Sequence, residues 1–207
     1  TYEEGFLRNS DARFVYRWIS PPQRLPGQLA LNYCSVDGNY AIRDHRWHLD
    51  LVDIEAGKGV PVTSRMIVNC AGVWTDQVNA RFGIDSPFRH ALSKGVYMGI
   101  PRPEEHKSLL VFDLGEHDDV ITLVPWGPIS LWGPTETTMQ DISEGISASR
   151  QDIDFLLEHY RRRFRRPLRA EDIVSLRCGI RPLVVNAGYR SNRYPLELSR
   201  RQEVIQD

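Results

Sequence analysis

In the first half of the chain, the candidate functional residues are the small residues of one turn, which could let a cofactor approach the backbone. Ala71 and Gly72 follow a mostly apolar run at residues 66–68 and precede a helical pattern that starts at Val73. In α/β folds, a buried strand, a small-residue turn and a helix together bring backbone close to a dinucleotide. Plain packing produces the same pattern, so these residues alone leave both interpretations open.

A cluster of arginines in the second half of the chain suits the binding of anions. Five arginines lie within residues 161–166, at the end of a helix that residues 149–152 begin with a predicted capping box. Cations at a helix C-terminus interact favourably with the helix dipole, which is one interpretation of the cluster. The other is contact with anionic lipid or nucleic acid, so a non-enzymatic binding module is an alternative function.

The composition of the chain narrows the classes of partner. The 207 residues are 41% hydrophobic and 26% charged with a net charge of −1, which is typical of a globular protein without a general attraction to nucleic acid. No stretch approaches the roughly 20 apolar residues that a membrane span needs. His45 and His48 lack a further ligand at metal spacing, so we predict no metal site. Cys70 and Cys178 lie in strand-like surroundings and predict buried, reduced thiols in a reducing compartment.

The elements that must position these residues change character near residue 88. Before it we predict a helix over residues 10–19, a strand over 30–36, and a hairpin of strands over 47–55 and 60–68. After it come a long strand and several short ones separated by Gly, Pro and Asp turns, which is typical of an antiparallel sheet. These later strands are predicted over residues 88–100, 109–112, 120–124, 129–132, 173–181 and 194–198. The fold class is therefore α+β / α/β, with a second domain from residue 88.

Several short segments, in the same order along the chain, resemble one family. Residues 68–74 resemble the "N-A-A-G-x-W" segment of FAD-dependent glycerol-3-phosphate dehydrogenases, which belong to the D-amino-acid-oxidase-like flavoenzymes. The other matching segments are residues 94–95, 125–126, 133–137 and 179–183. The Gly-x-Gly-x-x-Gly turn of an FAD domain is absent and the chain begins at Thr1, so we expect an internal fragment of a longer protein. We also expect the isolated chain to bind FAD poorly and to show no dehydrogenase turnover.

The resemblance implies that the two parts of the chain have different functions. It implies that residues 1–87 are a partial FAD-binding domain that lacks its Gly-rich turn. Residues 88–207 would be the substrate-binding domain, with an antiparallel sheet and a helix near residues 149–165. The implied cofactor-binding residues are Ala71, Gly72 and Trp74.

The resemblance also implies a reaction and its substrate-binding residues. The family transfers a hydride from the secondary alcohol of glycerol 3-phosphate to FAD and forms dihydroxyacetone phosphate. Such a site needs a phosphate clamp, a base and a tight fit around the reacting atoms. Arg181 matches one clamp arginine of the family, Arg200 a second, and Trp126 a residue that lines the cavity. The alternatives are that Arg181 pairs with a carboxylate and that Trp126 is a core residue.

The implied catalytic residues are Lys94, Tyr97 and Thr135. Tyr97 stands where the family carries histidine, and an unperturbed tyrosine pKa of about 10 suits hydrogen bonding or stacking better than proton abstraction. In an extended strand, the separation of three residues places Lys94 and Tyr97 on opposite faces. Pro134 and Glu136 depart from the "G-T-T-D-T" turn that residues 133–137 otherwise resemble.

The expected partners follow from the same resemblance. They are a small phosphorylated substrate and a quinone as electron acceptor, in a cytoplasmic protein with peripheral contact to the inner membrane. The alternative within the flavoenzymes is a related oxidase that acts on an amino acid or a hydroxy acid. A second arginine in the clamp separates the two, because an amino-acid site needs only one partner for its carboxylate.

Overall fold

The computed structural model describes residues 11–20, 27–36, 38–115, 119–144, 146–189, 198 and 203–205. The chain divides into two compact units, Thr1–Asn69 and Cys70–Asp207. Arg200 and residues 194–197 of a predicted strand lie outside the described residues. The division at residue 88 between a cofactor domain and a substrate domain stays a prediction.

The first unit contains one helix and a four-stranded antiparallel sheet. Helix α1 is followed by a sheet in which β3 pairs with each of the other three strands. The β3–β4 hairpin was predicted and is confirmed; in its turn, the Asp53 carboxylate accepts hydrogen bonds from the backbone N–H groups of Glu55 and Ala56. The elements are α1 Asp11–Ile19, β1 Cys34–Ser35, β2 Tyr40–Arg43, β3 Arg46–Asp53 and β4 Lys58–Ser64.

The predicted strand through residues 66–68 is wrong, because β4 ends at Ser64. The Ser64 hydroxyl accepts from the backbone N–H of Met66 and donates to its carbonyl, and such local bonds compete with a strand ladder. Met66 and Val68 are exposed rather than buried. Cys70 is exposed as well, so the prediction of a buried thiol there is also wrong.

The second unit is built on a six-stranded antiparallel sheet in the order β10-β5-β8-β7-β6, with β9 beside β5. The predicted antiparallel pattern is confirmed, and β10 is longer than predicted. A 3₁₀ turn at Gly72–Trp74 leads into α2 and packs against β10. The elements are α2 Thr75–Arg81, β5 Phe88–Pro101, β6 Leu110–Asp113, β7 Val120–Trp126, β8 Ile129–Gly133, β9 Thr137–Met139, α3 Arg150–Arg163 and β10 Ser175–Asn186.

Alternation along the strands gives this sheet two faces with different contents. On the α3 face, Val96, Met98 and Ile100 of β5 pack with Trp132 and Leu156 in the core. The indole N–H of Trp132 donates to the backbone carbonyl of Leu156 at 2.8 Å, which fixes α3 on the sheet. The second face carries the intervening residues, among them Gly95, Tyr97, Trp126, Arg177, Gly179 and Arg181.

Helix α3 begins as the sequence predicts. The Ser149 hydroxyl accepts from the backbone N–H of Asp152, and the Asp152 carboxylate accepts from the backbone N–H of Ser149, which together form a capping box. Across the described ranges, no helix is long and apolar enough to cross a membrane.

Candidate functional site

The Asp152 carboxylate is the centre of a buried polar network on the α3 face. Lys94 Nζ donates to Asp152 Oδ2 at 2.7 Å, and the two side chains are 11% and 3% exposed. Thr135 Oγ1 donates to Asp152 Oδ1 at 3.2 Å and accepts from the Val96 N–H at 3.0 Å. Lys94 and Thr135, both implied as catalytic, therefore share one buried partner that also caps α3.

The charge of Asp152 is stabilised by this network. Burial alone would raise the pKa of Asp152, but the hydrogen bonds from Lys94 and Ser149 outweigh it, so the pKa lies below its ordinary value. A carboxyl whose pKa is lowered by folding stabilises the fold above about pH 4. That contribution is lost as the pH falls through the lowered pKa.

Arg181 lies on the second face, where its guanidinium is held by a carboxylate. Arg181 Nη1 donates to Glu136 Oε2 at 2.9 Å, and Ser93 Oγ donates to the other oxygen of the same carboxylate. The Glu136 side chain is 4% exposed and that of Arg181 is 32% exposed. The carboxylate pairing that the sequence left open is thus present, and it leaves part of the guanidinium accessible.

Two glycines facing each other across β5 and β10 shape the space around Arg181. A Cβ on Gly95 would come within 2.6 Å of Arg181 Nη2, so the guanidinium rests where a side chain would otherwise stand. Gly179 is paired with Gly95, and a Cβ there would meet nothing within 4 Å. Open space therefore lies beside the guanidinium, between Arg177 and Arg181.

Tyr97 and Trp126 share this second face. Tyr97 is directly opposite Arg177 across β5 and β10, and the Arg177 guanidinium carbon lies 4.7 Å from the centroid of the Trp126 ring. This is the geometry of a cation–π contact. Lys94 faces α3, so the prediction that it and Tyr97 point to opposite faces is confirmed.

The turn at residues 133–137 serves both faces with consecutive residues. Thr135 bonds to Asp152 on the α3 face, whereas Glu136 bonds to Arg181 on the second face. Gly133, the first residue of the turn, has a φ of +151°, and a Cβ there would lie 2.7 Å from the Val96 carbonyl oxygen. The turn therefore packs closely on β5 and couples the two sets of predicted site residues.

Sequence reasoning missed the roles of Arg177, Asp152 and the Glu136 carboxylate. Arg177 was detectable, because it precedes Arg181 by four residues in a predicted strand and an even separation places both on one face. The capping role of Asp152 was predicted, but its pairing with Lys94 joins residues 58 positions apart. The pairing of Glu136 with Arg181 spans 45 positions.

Of the three residues implied for the cofactor, Gly72 presents open backbone. Gly72 has a φ of +58°, which favours glycine, and a Cβ there would meet nothing within 4 Å. Trp74 is 51% exposed, and Ala71 is half-buried. Open backbone at Gly72 leaves room for a flat organic group to approach the chain closely. Within the described ranges, no group of three or more His, Cys, Asp or Glu side chains is placed to hold a metal ion.

The sequence of the chain matches a known family of proteins. The family model of the FAD dependent oxidoreductases (DAO) matches residues 30–196, and the chain belongs to that family. Among curated proteins it is related to the FAD-dependent glycerol-3-phosphate dehydrogenases. It is 30% identical to the glycerol-3-phosphate dehydrogenase of Mycobacterium leprae over 132 residues, which are 64% of this chain and 22% of that protein.

A second curated relative and a solved structure also match the chain. The chain is 29% identical to the D-erythritol 1-phosphate dehydrogenase of Brucella abortus over 140 residues, 66% of this chain and 28% of that protein. The solved glycerol-3-phosphate dehydrogenase of Bacillus halodurans, complexed with FAD, matches with a TM-score of 0.65 and 22% identity. That match covers 75% of this chain and 32% of the other, and it shows the fold alone. The chain spans about a quarter of the length of the two curated relatives.

Proposed function

We propose that this chain is the middle and substrate-binding part of an FAD-dependent dehydrogenase that oxidises the secondary alcohol of a small phosphorylated polyol. Glycerol 3-phosphate, oxidised to dihydroxyacetone phosphate, is the first candidate substrate. The observation that carries the proposal is Arg181, a partly exposed guanidinium held by Glu136 beside the open space at Gly179. Two relatives of the chain are named for the oxidation of phosphorylated polyols, which supports the same substrate class.

In this proposal Arg181 binds the phosphate. A guanidinium is planar and can donate two parallel hydrogen bonds to two phosphate oxygens. Glu136 occupies Nη1 from one side and so fixes the plane of the fork, while the missing side chain of Gly179 gives the phosphate room to approach. Arg200, outside the described residues, is the proposed second arginine of the clamp.

Tyr97 and Trp126 would orient the polyol and exclude water. Tyr97 is half-buried on the second face and offers a hydroxyl and a ring for hydrogen bonding or stacking. Trp126 carries Arg177 on its ring, and the pair would close one end of the site. Lys94 and Thr135 stay proposed site residues. Their bonds to Asp152 support a positioning role, in which they hold β5 and the turn at residues 133–137 in place.

The proposed cofactor residues are Ala71, Gly72 and Trp74, in the segment that packs against β10. FAD supplies the hydride acceptor when bound. Residues 1–87 would contribute to the cofactor domain and residues 88–207 to the substrate domain.

Electron transfer to a quinone, at a peripheral site on the inner membrane, completes the proposal. The arginines of residues 161–166 are the proposed contact with anionic lipid. Arg161, Arg165 and Arg166 are exposed, whereas Arg163 also donates to the Asp113 carbonyl. Sedimentation with anionic vesicles, compared with neutral vesicles at two salt concentrations, tests this contact. Equal binding to both vesicle types contradicts it.

The experiment that tests the reaction is a substrate panel on the whole protein that contains these residues. We expect reduction of an electron-accepting dye with glycerol 3-phosphate, slower reduction with D-erythritol 1-phosphate, and almost none with glycerol. Preferential oxidation of glycine or a hydroxy acid would contradict the proposal and support the related oxidase. In the 207-residue chain alone, we expect little FAD binding, and stoichiometric FAD in the purified chain would contradict that expectation.

A further inference from the structure

The segment implied for the cofactor, residues 71–74, has regular structure only after it. Residues 65–71, all of which the structure describes, form neither helix nor strand, and helix α2 contains no fully buried residue. Phe82, just past the end of α2, is 9% exposed and anchors the far end of that helix. The turn at Gly72–Trp74 also touches β10. A contact at the near end of α2 would complete the attachment of the segment to the sheet.

Such a contact joins Asp76, in the first turn of α2, to His90, the third residue of β5. Asp76 Oδ2 accepts a hydrogen bond from the backbone N–H of His90 at 2.8 Å, and Asp76 Oδ1 lies 2.7 Å from His90 Nδ1. An ionised carboxylate only accepts hydrogen bonds, so Nδ1 carries the proton and donates it. Both oxygens of Asp76 are thus engaged by one residue of the sheet.

The position of this pair connects the two halves of the proposed site. Asp76 follows Trp74 by two residues, and His90 lies on β5, the strand that also carries Tyr97. The side chains of His90 and Asp76 are 16% and 42% exposed, so water reaches the imidazole only in part. Charge-assisted hydrogen bonds with this geometry are short and strong. The pair can therefore fix the cofactor segment at a set distance from the strand beneath the substrate.

We propose that Asp76 and His90 are a positioning pair for FAD, which holds residues 71–74 against β5 and so raises the affinity of the whole protein for the cofactor. The inference rests on the proposed function, because that function makes residues 71–74 the cofactor segment. Neither side chain is required to touch FAD. A cofactor that approaches backbone closely needs that backbone held in place before it binds, since ordering the segment on binding would cost affinity.

The first test measures FAD binding to the whole protein by titration of flavin fluorescence. His90→Leu removes the imidazole bond and should raise the Kd for FAD about 3- to 10-fold, as expected for one hydrogen bond to a partly shielded carboxylate. His90→Asn, whose side-chain amide can donate from near the Nδ1 position, should restore most of the affinity. The control His159→Leu, on α3, should leave the Kd unchanged. An unchanged Kd in His90→Leu, or no recovery in His90→Asn, would overturn the proposal.

The second test needs no cofactor and uses hydrogen exchange in the 207-residue chain. In His90→Leu, the amides of residues 75–82 should exchange about 3- to 10-fold faster, whereas those of β7 and β8 should keep their rates. Equal exchange at residues 75–82, or faster exchange throughout the sheet, would overturn the proposal. If His90→Leu does not fold, Asp76→Asn, which cannot accept both bonds, replaces it in both tests with the same expected results.

The two tests also separate this inference from the proposed function. No FAD binding by the unmodified whole protein would contradict the proposed function. FAD binding with the same Kd in the unmodified protein and in His90→Leu would contradict the positioning role of the pair alone.

Discussion

The two faces of the six-stranded sheet differ in how far they bury their charged residues. On the α3 face, Lys94 is almost fully enclosed and its charge is matched by Asp152. On the second face, Arg181 is matched by Glu136 but remains about one-third exposed, beside open space at Gly179. One strand, β5, contributes to both, because successive side chains alternate between the faces. Neighbouring residues of one short motif can therefore belong to different networks, as Thr135 bonds to Asp152 and Glu136 bonds to Arg181.

The substitution expected to have the largest effect is Lys94→Ala, which should destabilise the fold. Lys94→Ala leaves the Asp152 carboxylate buried without its cation, and breaking a buried pair in this way costs about 3–5 kcal/mol in the free energy of unfolding. Urea denaturation of the chain measures this loss. The control is Lys58→Ala, at the exposed start of β4, which should stay within about 0.5 kcal/mol of the original chain. A Lys94→Ala chain as stable as the original would contradict this structural role of Lys94.

Much of the sheet and α3 could be predicted from the sequence, because those signals are local. The capping box at Ser149 and Asp152 uses neighbours three residues apart, and β5 and β10 are long apolar strands bounded by turn residues. The error at residues 66–68 was also local. The apolar run favoured a strand, but the Ser64 hydroxyl bonds to the backbone of Met66 and the ladder ends there.

The candidate site was harder to predict, because its pairings join distant parts of the chain. A sequence motif containing Lys94 and Tyr97 indicates one constellation, whereas the partners that decide their roles come from α3 and β10. Glu136 looked like a departure from the family's turn, and its role became visible only when the fold brought Arg181 to it. Arg177 is the exception, because its even separation from Arg181 in the sequence already places both side chains on one face of β10.

The second prediction concerns Arg181 and substrate discrimination in the whole protein. Arg181→Ala removes the proposed charge-assisted bond to the phosphate, worth about 1.5–3 kcal/mol, so kcat/KM for glycerol 3-phosphate should fall roughly 10- to 150-fold. Arg181→Ala also leaves the Glu136 carboxylate, which is 4% exposed, without its cation, so rates are compared per folded protein. On that basis the rate with glycerol should change little. Arg150→Ala, which breaks an exposed pair with Asp154, is the matched control and should leave both rates unchanged. An equal loss with both substrates would mean that Arg181 has a structural role only.

The third prediction separates the position of Arg181 from its charge. Glu136→Gln keeps the shape of the side chain but replaces an ion pair with a weaker hydrogen bond from the charged guanidinium to a neutral amide oxygen. The guanidinium should then be less firmly oriented, and kcat/KM for glycerol 3-phosphate should fall about 3- to 10-fold. Glu136→Asp keeps the charge and serves as the rescue variant. If Glu136→Gln and Glu136→Asp lower kcat/KM to the same extent, the charge of Glu136 does not orient Arg181.

The smallest effect is expected at Tyr97, on the same strand as Lys94 but on the other face. Tyr97 stands where the family resemblance implies histidine, and a phenol accepts a proton from a substrate hydroxyl far less readily than an imidazole does. Lys94 is committed to Asp152 on the opposite face, so it is not placed to activate the hydroxyl. Tyr97→Phe should therefore keep most of the activity, and Tyr97→His is expected to raise it near neutral pH. The pH profile of kcat/KM in the whole protein is the measurement: if Tyr97→Phe abolishes turnover and removes a pKa from the alkaline limb, Tyr97 is the base after all.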